Sequence, residues 1–164
     1  HEALAHFESA LAARRSALGP SHTLTAAAAN DCALCYEQDN MLEKACALHE
    51  AALEARSAAL GPGSAEAASS AHSLGACMLA VGDAEGAMAH LCAALGARED
   101  VLGEHAETAE SHFAVGQALE AVGRTGEAAG SFRNAHEMLG RCLGDHARTA
   151  DAAVALALAL LAHG

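Results

Sequence analysis

Two residue types with chemical potential are frequent in this chain. Six cysteines stand at positions 32, 35, 46, 77, 92 and 142, and eleven histidines are spread from end to end. Cys32-Ala33-Leu34-Cys35 is a C-x-x-C. On a helix its two sulfurs lie one turn apart on one face, which is half of a structural zinc site. Such a site needs four ligands, usually from a second pair or two added histidines, and no second C-x-x-C exists. A redox C-x-x-C expects a strand–helix–strand setting, which the sequence does not offer. Both cysteines are therefore expected as small core residues, with a zinc or redox module kept as an outside alternative. His22, His105 and His146 recur at helix junctions, where each would open a helix. His49 and His136 stand where an apolar residue is expected, which predicts partial burial, while His72 and His112 fall within helices. No Ser/His/Asp arrangement, phosphate-cradling glycine loop or H-E-x-x-H is present. The expectation is a protein that is not an enzyme, with no catalytic residue, cofactor or metal.

The elements that must hold these residues follow from composition. Hydrophobic residues make up 52% of 164 positions, yet aromatics are only 2% and tryptophan is absent. The core must then be built from Ala, Leu, Val, Met and Cys. Alanine is the best helix former, and only Pro20 and Pro62 interrupt the chain, so the fold class is all-α. The formal net charge is −12, and the nine basic residues are scattered. No basic stripe or aromatic platform exists, which argues against nucleic acid, and an acidic surface is repelled by anionic membranes. The longest apolar run, Ala152 to Ala162, falls short of the roughly 20 residues that a membrane span needs. Cysteines inside helical stretches of a chain with its own core suggest reduced thiols and a cytoplasmic setting. The opening at His1 rather than Met reads as an excerpt from a longer protein.

Self-similarity is strong. Ala10-Leu11-x-x-Arg14-x-x-x-Leu18-Gly19 returns as Ala52-Leu53-x-x-Arg56-x-x-x-Leu60-Gly61, and again as Ala94-Leu95-x-x-Arg98-x-x-x-Leu102-Gly103, at a step of 42 residues. A weaker copy holds Ala135, His136, Leu139, Leu143 and Gly144. Between these copies runs a second pattern. It reads Leu74-Gly75-x-x-Met78-x-x-x-Gly82 then Ala87, Leu91 and Ala94, and later Val115-Gly116-x-x-Leu119-x-x-x-Gly123 then Ala128, Phe132 and Ala135. The earlier version holds Cys32, Ala33, Tyr36, Asn40, Ala45, His49 and Ala52. Ala3, Phe7 and Ala10 keep only its second half, and Leu156, Ala157, Leu160 and Gly164 only its first. Small residues at 33, 75, 116 and 157 would let helices approach closely, while Asn40, Gly82 and Gly123 fall where a helix must stop. Apolar spacings of three and four predict helices at 2–18, 24–38, 41–60, 65–81, 84–102, 107–122, 125–143 and 147–162. In repeat terms these are a half repeat 1–22, repeats 23–64, 65–105 and 106–146, and a half repeat 147–164 of one domain. Val154 to Leu161 is apolar on every side, so the last helix is expected to be covered by a further helix or another subunit.

The Leu-Gly-x-x-Tyr…Gly…Ala…Phe…Ala order resembles the tetratricopeptide repeat, whose usual unit is about 34 residues. The longer unit here resembles the repeats of kinesin light chain, as does Leu18-Gly19-Pro20-Ser21-His22, echoed at Leu60-Gly61-Pro62, Leu102-Gly103-x-His105 and Leu143-Gly144-x-His146. The resemblance implies a right-handed superhelical solenoid of antiparallel helix pairs, about eight helices in all. It also implies a concave groove, made mainly by first helices, that takes an extended peptide or a partner helix. By repeat position the groove residues would be Asn30, Leu34, Glu37, Gln38, His72, Phe113, Gln117 and Glu120. Kinesin light chain repeats take acidic, tryptophan-bearing peptides in a basic, Asn-rich groove. Here only Asn30 keeps that pattern, with His72 and Phe113 at the matching places, and acidic peptides would be repelled. The acidic residues Glu43, Glu50, Glu54, Glu85, Glu99, Asp100, Glu120, Glu127 and Glu137 are expected on solvent faces, with a favourable Glu137–Arg141 pair and an unfavourable Glu50–Glu54 pair. A groove for basic partners is the functional version of that acidity. The expected role is a protein–protein scaffold or a structural subunit of a larger assembly associated with cytoskeleton, microtubule or cilium. Its alternatives are a motor or cargo adaptor, and sensor repeats attached to an enzyme or signalling ATPase.

Overall fold

The computed structural model describes residues 2–163. Among them are eight α-helices and no strand: α1 (Glu2–Leu18), α2 (Thr23–Gln38), α3 (Leu42–Leu60), α4 (Ala65–Val81), α5 (Ala84–Leu102), α6 (Ala106–Ala121), α7 (Thr125–Leu143) and α8 (Ala147–His163). The expected bounds lie within one residue of these. The agreement has a local cause, because stop and start signals recur in register. Asn40, Gly82 and Gly123 occupy one repeat position, and all three adopt positive φ, at 57°, 98° and 78°. That conformation ends α2, α4 and α6 and is strained for most side chains. At the other junctions His22, His105 and His146 are N-caps: each Nδ1 accepts from the backbone N–H two residues on, at 3.1, 3.2 and 3.2 Å. Ser64 takes the same place before α4 and accepts from the Ala67 N–H. The recurrent junction histidine thus satisfies an orphan donor in the first turn of a helix.

The repeated arginine is explained by the same junctions. Arg14, Arg56 and Arg98 each donate from Nη1 to a backbone carbonyl in the first turn of the following helix, those of Leu24, Glu66 and Glu107, at 3.0, 3.2 and 2.9 Å. Arg56 and Arg98 also donate to the Ser70 and Ser111 hydroxyls, both at 2.8 Å. The side chain pins one helix to the start of the next across the loop. Threonines reinforce this: Thr25 and Thr149 donate to the Gly19 and Gly144 carbonyls, each at 2.9 Å. A His-x-x-Thr signal at 22–25 and 146–149 carries this contact, while the same signal at 105–108 sends the Thr108 hydroxyl to the Arg98 carbonyl, at 3.5 Å.

The helices fall into two compact units, the first ending at Gly82 and the second beginning at Asp83. In the first unit each of α1 to α4 packs on its sequence neighbour. Its core is small-residued: Ala26, Ala29, Cys32, Ala33, Ala45 and Ala52 are almost wholly buried, with Leu11 and Tyr36 at the edge. The Tyr36 hydroxyl donates to the Glu8 carboxylate and ties α2 to α1. Cys32 is buried and Cys35 half-buried, both as free thiols on α2. In the second unit each of α5 to α8 likewise packs on its neighbour, around Ala109, Phe132, Ala135, Leu139 and Ala152. Gly116 on α6 lies directly beneath the Phe132 ring of α7: a β-carbon there would stand 2.6 Å from Cε1. The glycine is the space that the ring occupies.

One expectation is corrected. Arg141 does not pair with Glu137 along α7. Its Nη2 reaches Glu104 in the α5–α6 junction, at 3.0 Å, because the packing of α6 on α7 sets the start of α6 beside the end of α7. On α8, Thr149, Ala152 and Ala159 are buried against α7, while Val154, Leu158, Leu160 and Leu161 are exposed, Leu161 to 80%, so the helix packs along one side and its other side is apolar. The nine acidic residues assigned to solvent faces are all exposed.

Candidate functional site

The candidate surface lies on the first helices of the pairs, and its residues share repeat positions. Asn30, Leu34 and Gln38 follow one another at four-residue steps along α2, with Glu37 beside them, so they form one helix stripe. Leu34 and Gln38 are exposed. Asn30 and Glu37 are half-buried, and both turn toward His49 of α3, whose side chain is fully buried. Asn30 Oδ1 lies 2.7 Å from His49 Nδ1, and Glu37 Oε1 lies 3.1 Å from Nε2. Burial pushes the His49 pKa down from 6.5, opposed by the Glu37 carboxylate. Both facing oxygens accept, so the ring N–H donates to the oxygen beside whichever nitrogen carries the proton. The buried histidine thus has a hydrogen-bonding oxygen beside each ring nitrogen. His72, on α4 at the same repeat position as Asn30, is half-buried as well.

In the second unit Phe113, Gln117 and Glu120 form the matching stripe on α6. Gln117 and Glu120 are exposed. Phe113 is half-buried, with its ring centroid 5.4 Å from that of Phe132 at an interplanar angle of 55°. Beside the stripe, His112 Nε2 lies 3.3 Å from Glu99 of α5. Burial lowers the His112 pKa, again offset in part by the carboxylate. Glu110 of α6 pairs with Arg148 of α8. Of the eight expected groove residues, Leu34, Gln38, Gln117 and Glu120 thus present side chains to solvent. Asn30, Glu37 and Phe113 also brace the helix behind them. The bracing partners His49 and Phe132 were not among the expected site residues. No group of three or more His, Cys, Asp or Glu side chains among the described residues is placed to hold a metal ion. No helix among them is long and apolar enough to cross a membrane.

Consecutive helix hairpins with matching stripes define an all-α repeat protein of the kind that holds other proteins. A family profile described as tetratricopeptide repeat matches residues 1–45 and 33–100, and the chain belongs to that family. Two crystal structures of a Podosopora anserina protein, described as a kinesin light chain with nearly identical TPR-like repeats, are similar in fold. Their TM-scores are 0.87 and 0.85, each at 21% identity over 99% of this chain and 78% of the other. The crystal structure of BtubC (BKLC) from P. vanneervenii gives a TM-score of 0.85 at 20% identity, over 96% of this chain and 64% of that one. A search of the curated proteins finds no match. The fold is a tetratricopeptide repeat solenoid, and such repeats are protein-interaction scaffolds.

Proposed function

We propose that this chain is a non-catalytic scaffold whose first-helix stripes take an extended peptide or helix of basic character. The observation that carries the reading is the register. Leu34 and Gln117 share one repeat position and Glu37 and Glu120 another, and the exposed members of both stripes sit on a chain with a net charge of −12. An acidic surface attracts basic segments and repels acidic ones. In this reading Asn30 and His72 set the floor of the first unit's stripe and Phe113 that of the second, while Leu34 and Gln38 in the one, and Gln117 and Glu120 in the other, meet the partner. The full stretch 1–164 acts as one repeat domain in a larger cytoplasmic assembly of the microtubule or cilium type. The test is a peptide array graded from net basic to net acidic, probed with the wild-type chain and with Leu34→Ala, Gln117→Ala and Glu120→Lys. Basic peptides should be retained, Glu120→Lys should weaken them most, and circular dichroism should be unchanged. Retention indifferent to peptide charge, or untouched by all three changes, would remove the stripes from consideration.

A second reading is a motor or cargo adaptor, favoured by the similar solved structures that are described as kinesin light chains. The same array separates the two. An adaptor of that kind would retain acidic, tryptophan-bearing peptides in preference to basic ones.

A further inference from the structure

Behind the α2 stripe, the first unit holds a pair of thiols that the scaffold role does not use. Cys46 lies on α3 and Cys77 on α4, and these two helices pack together. Their Sγ atoms are 2.7 Å apart, closer than two unbonded sulfurs sit in ordinary packing. Closing a disulfide from there takes roughly a further 0.7 Å. Cys46 is half-buried, so a small reagent can reach it, whereas Cys77 is only 2% exposed. The Cys77 sulfur also lies 3.4 Å from the Leu42 carbonyl oxygen, which holds it toward α3. Cys92 and Cys142, by contrast, are exposed thiols of the second unit.

We propose that Cys46 and Cys77 are an oxidative modification site, closing into a disulfide that links α3 to α4 when the chain meets a low-molecular-weight disulfide such as oxidised glutathione. Cys46, the accessible partner, is the entry point. Its thiolate attacks one sulfur of the reagent, forming a Cys46–S–S–R bond and expelling RS⁻, which takes up the proton that Cys46 released. Cys77 then loses its proton and attacks the Cys46 sulfur, and the second RS⁻ leaves and is protonated. Two protein thiols are oxidised to one disulfide, and one reagent disulfide is reduced to two thiols. The buried Cys77 is a poor first attacker, since burial, and then Cys46 and Glu37, push its pKa up. A neighbouring sulfur within reach makes it an efficient second one. This site stands independently of which partner the stripes take.

The test uses the full chain with Cys92→Ser and Cys142→Ser, which removes the two exposed thiols and leaves the pair untouched. After incubation with oxidised glutathione and alkylation under denaturing conditions, trypsin releases Cys46 within residues 45–56 and Cys77 within 57–98. The expected product is these two peptides joined, lighter than their sum by two hydrogens, with Cys32 and Cys35 alkylated. With Cys77→Ser added, Cys46 should stop at the mixed disulfide and carry one glutathione. The proposal is overturned if Cys46 and Cys77 are both recovered alkylated, if glutathione stays on Cys46 while Cys77 is intact, or if the bridge joins Cys32 to Cys35.

Discussion

Residues 30 and 49 of the first unit, and residues 113 and 132 of the second, occupy the same two places in the repeat. In one unit the pair is Asn30 and His49, joined by a hydrogen bond of 2.7 Å. In the other it is Phe113 and Phe132, with ring centroids 5.4 Å apart. His49 and Phe132 are equally buried, at 0% exposure. The backbone slot is therefore indifferent to polarity, provided the occupant is complemented. The aromatic answer needs volume, which Gly116 supplies by lacking a β-carbon. The imidazole answer needs partners for two nitrogens, which Asn30 and Glu37 supply, and it stands alongside Ala33 at the glycine's position. One solution is vulnerable to changes of size, the other to changes of protonation.

The largest expected effect comes from emptying the aromatic slot. Phe132→Ala should cost about 3–5 kcal/mol in chemical denaturation. His49→Leu, which leaves Glu37 and Asn30 without their partner, should cost about 1–3 kcal/mol. Equal losses would mean that the two pairs do not differ in the way described. Next comes crowding. Gly116→Ala should destabilise by about 1–3 kcal/mol, because its β-carbon meets the Phe132 ring. Phe132→Leu in the same chain should relieve part of that loss, so a strictly additive double-mutant cycle would contradict the glycine's role.

Protonation has a smaller effect, and its sign follows from the two lowered pKa values. Burial holds His49 and His112 below the ordinary 6.5 in the folded chain. Above about pH 6.5 both are neutral in the folded and unfolded states, and stability does not depend on them. As the pH falls below that value the unfolded chain takes up protons first. Stability should then decline with a slope approaching about 1.4 kcal/mol per pH unit for each histidine, until the lowered folded value is reached. Urea midpoints measured between pH 7.5 and 5 should show this fall, and His49→Leu should remove its share. The smallest effect is expected from a transplant. Asn30→Phe, His49→Phe and Ala33→Gly together install the second unit's solution in the first, and should change stability at pH 7.5 by less than about 1.5 kcal/mol. The same triple change should abolish the His49 part of the pH dependence, which the same urea midpoints would show.

Much of this was legible in the residues. Helix number and bounds could be read because caps and stops are local. Asn40, Gly82 and Gly123 end helices through their own φ preference, and His22, His105 and His146 begin them with their own side chains. The exposed half of the candidate surface, Leu34, Gln38, Gln117 and Glu120, followed from repeat position and a 3.6-residue turn. The inward turn of Asn30, Glu37 and Phe113 was not legible, because it depends on what a different helix presents at positions 49 and 132. The partner of Arg141 was missed for the same reason: Glu104 is distant in sequence and near in space.

The sequence alone determined the all-α class and the spacing of the helices. Both rest on periodicity and on backbone preferences that each short segment carries within itself. Tertiary structure alone decided how buried polar groups are complemented, why position 116 must be glycine, and that the sulfurs of Cys46 and Cys77 stand 2.7 Å apart. These are properties of pairs from different helices. They exist only after packing has placed one side chain against another, and no local pattern encodes the distance between them.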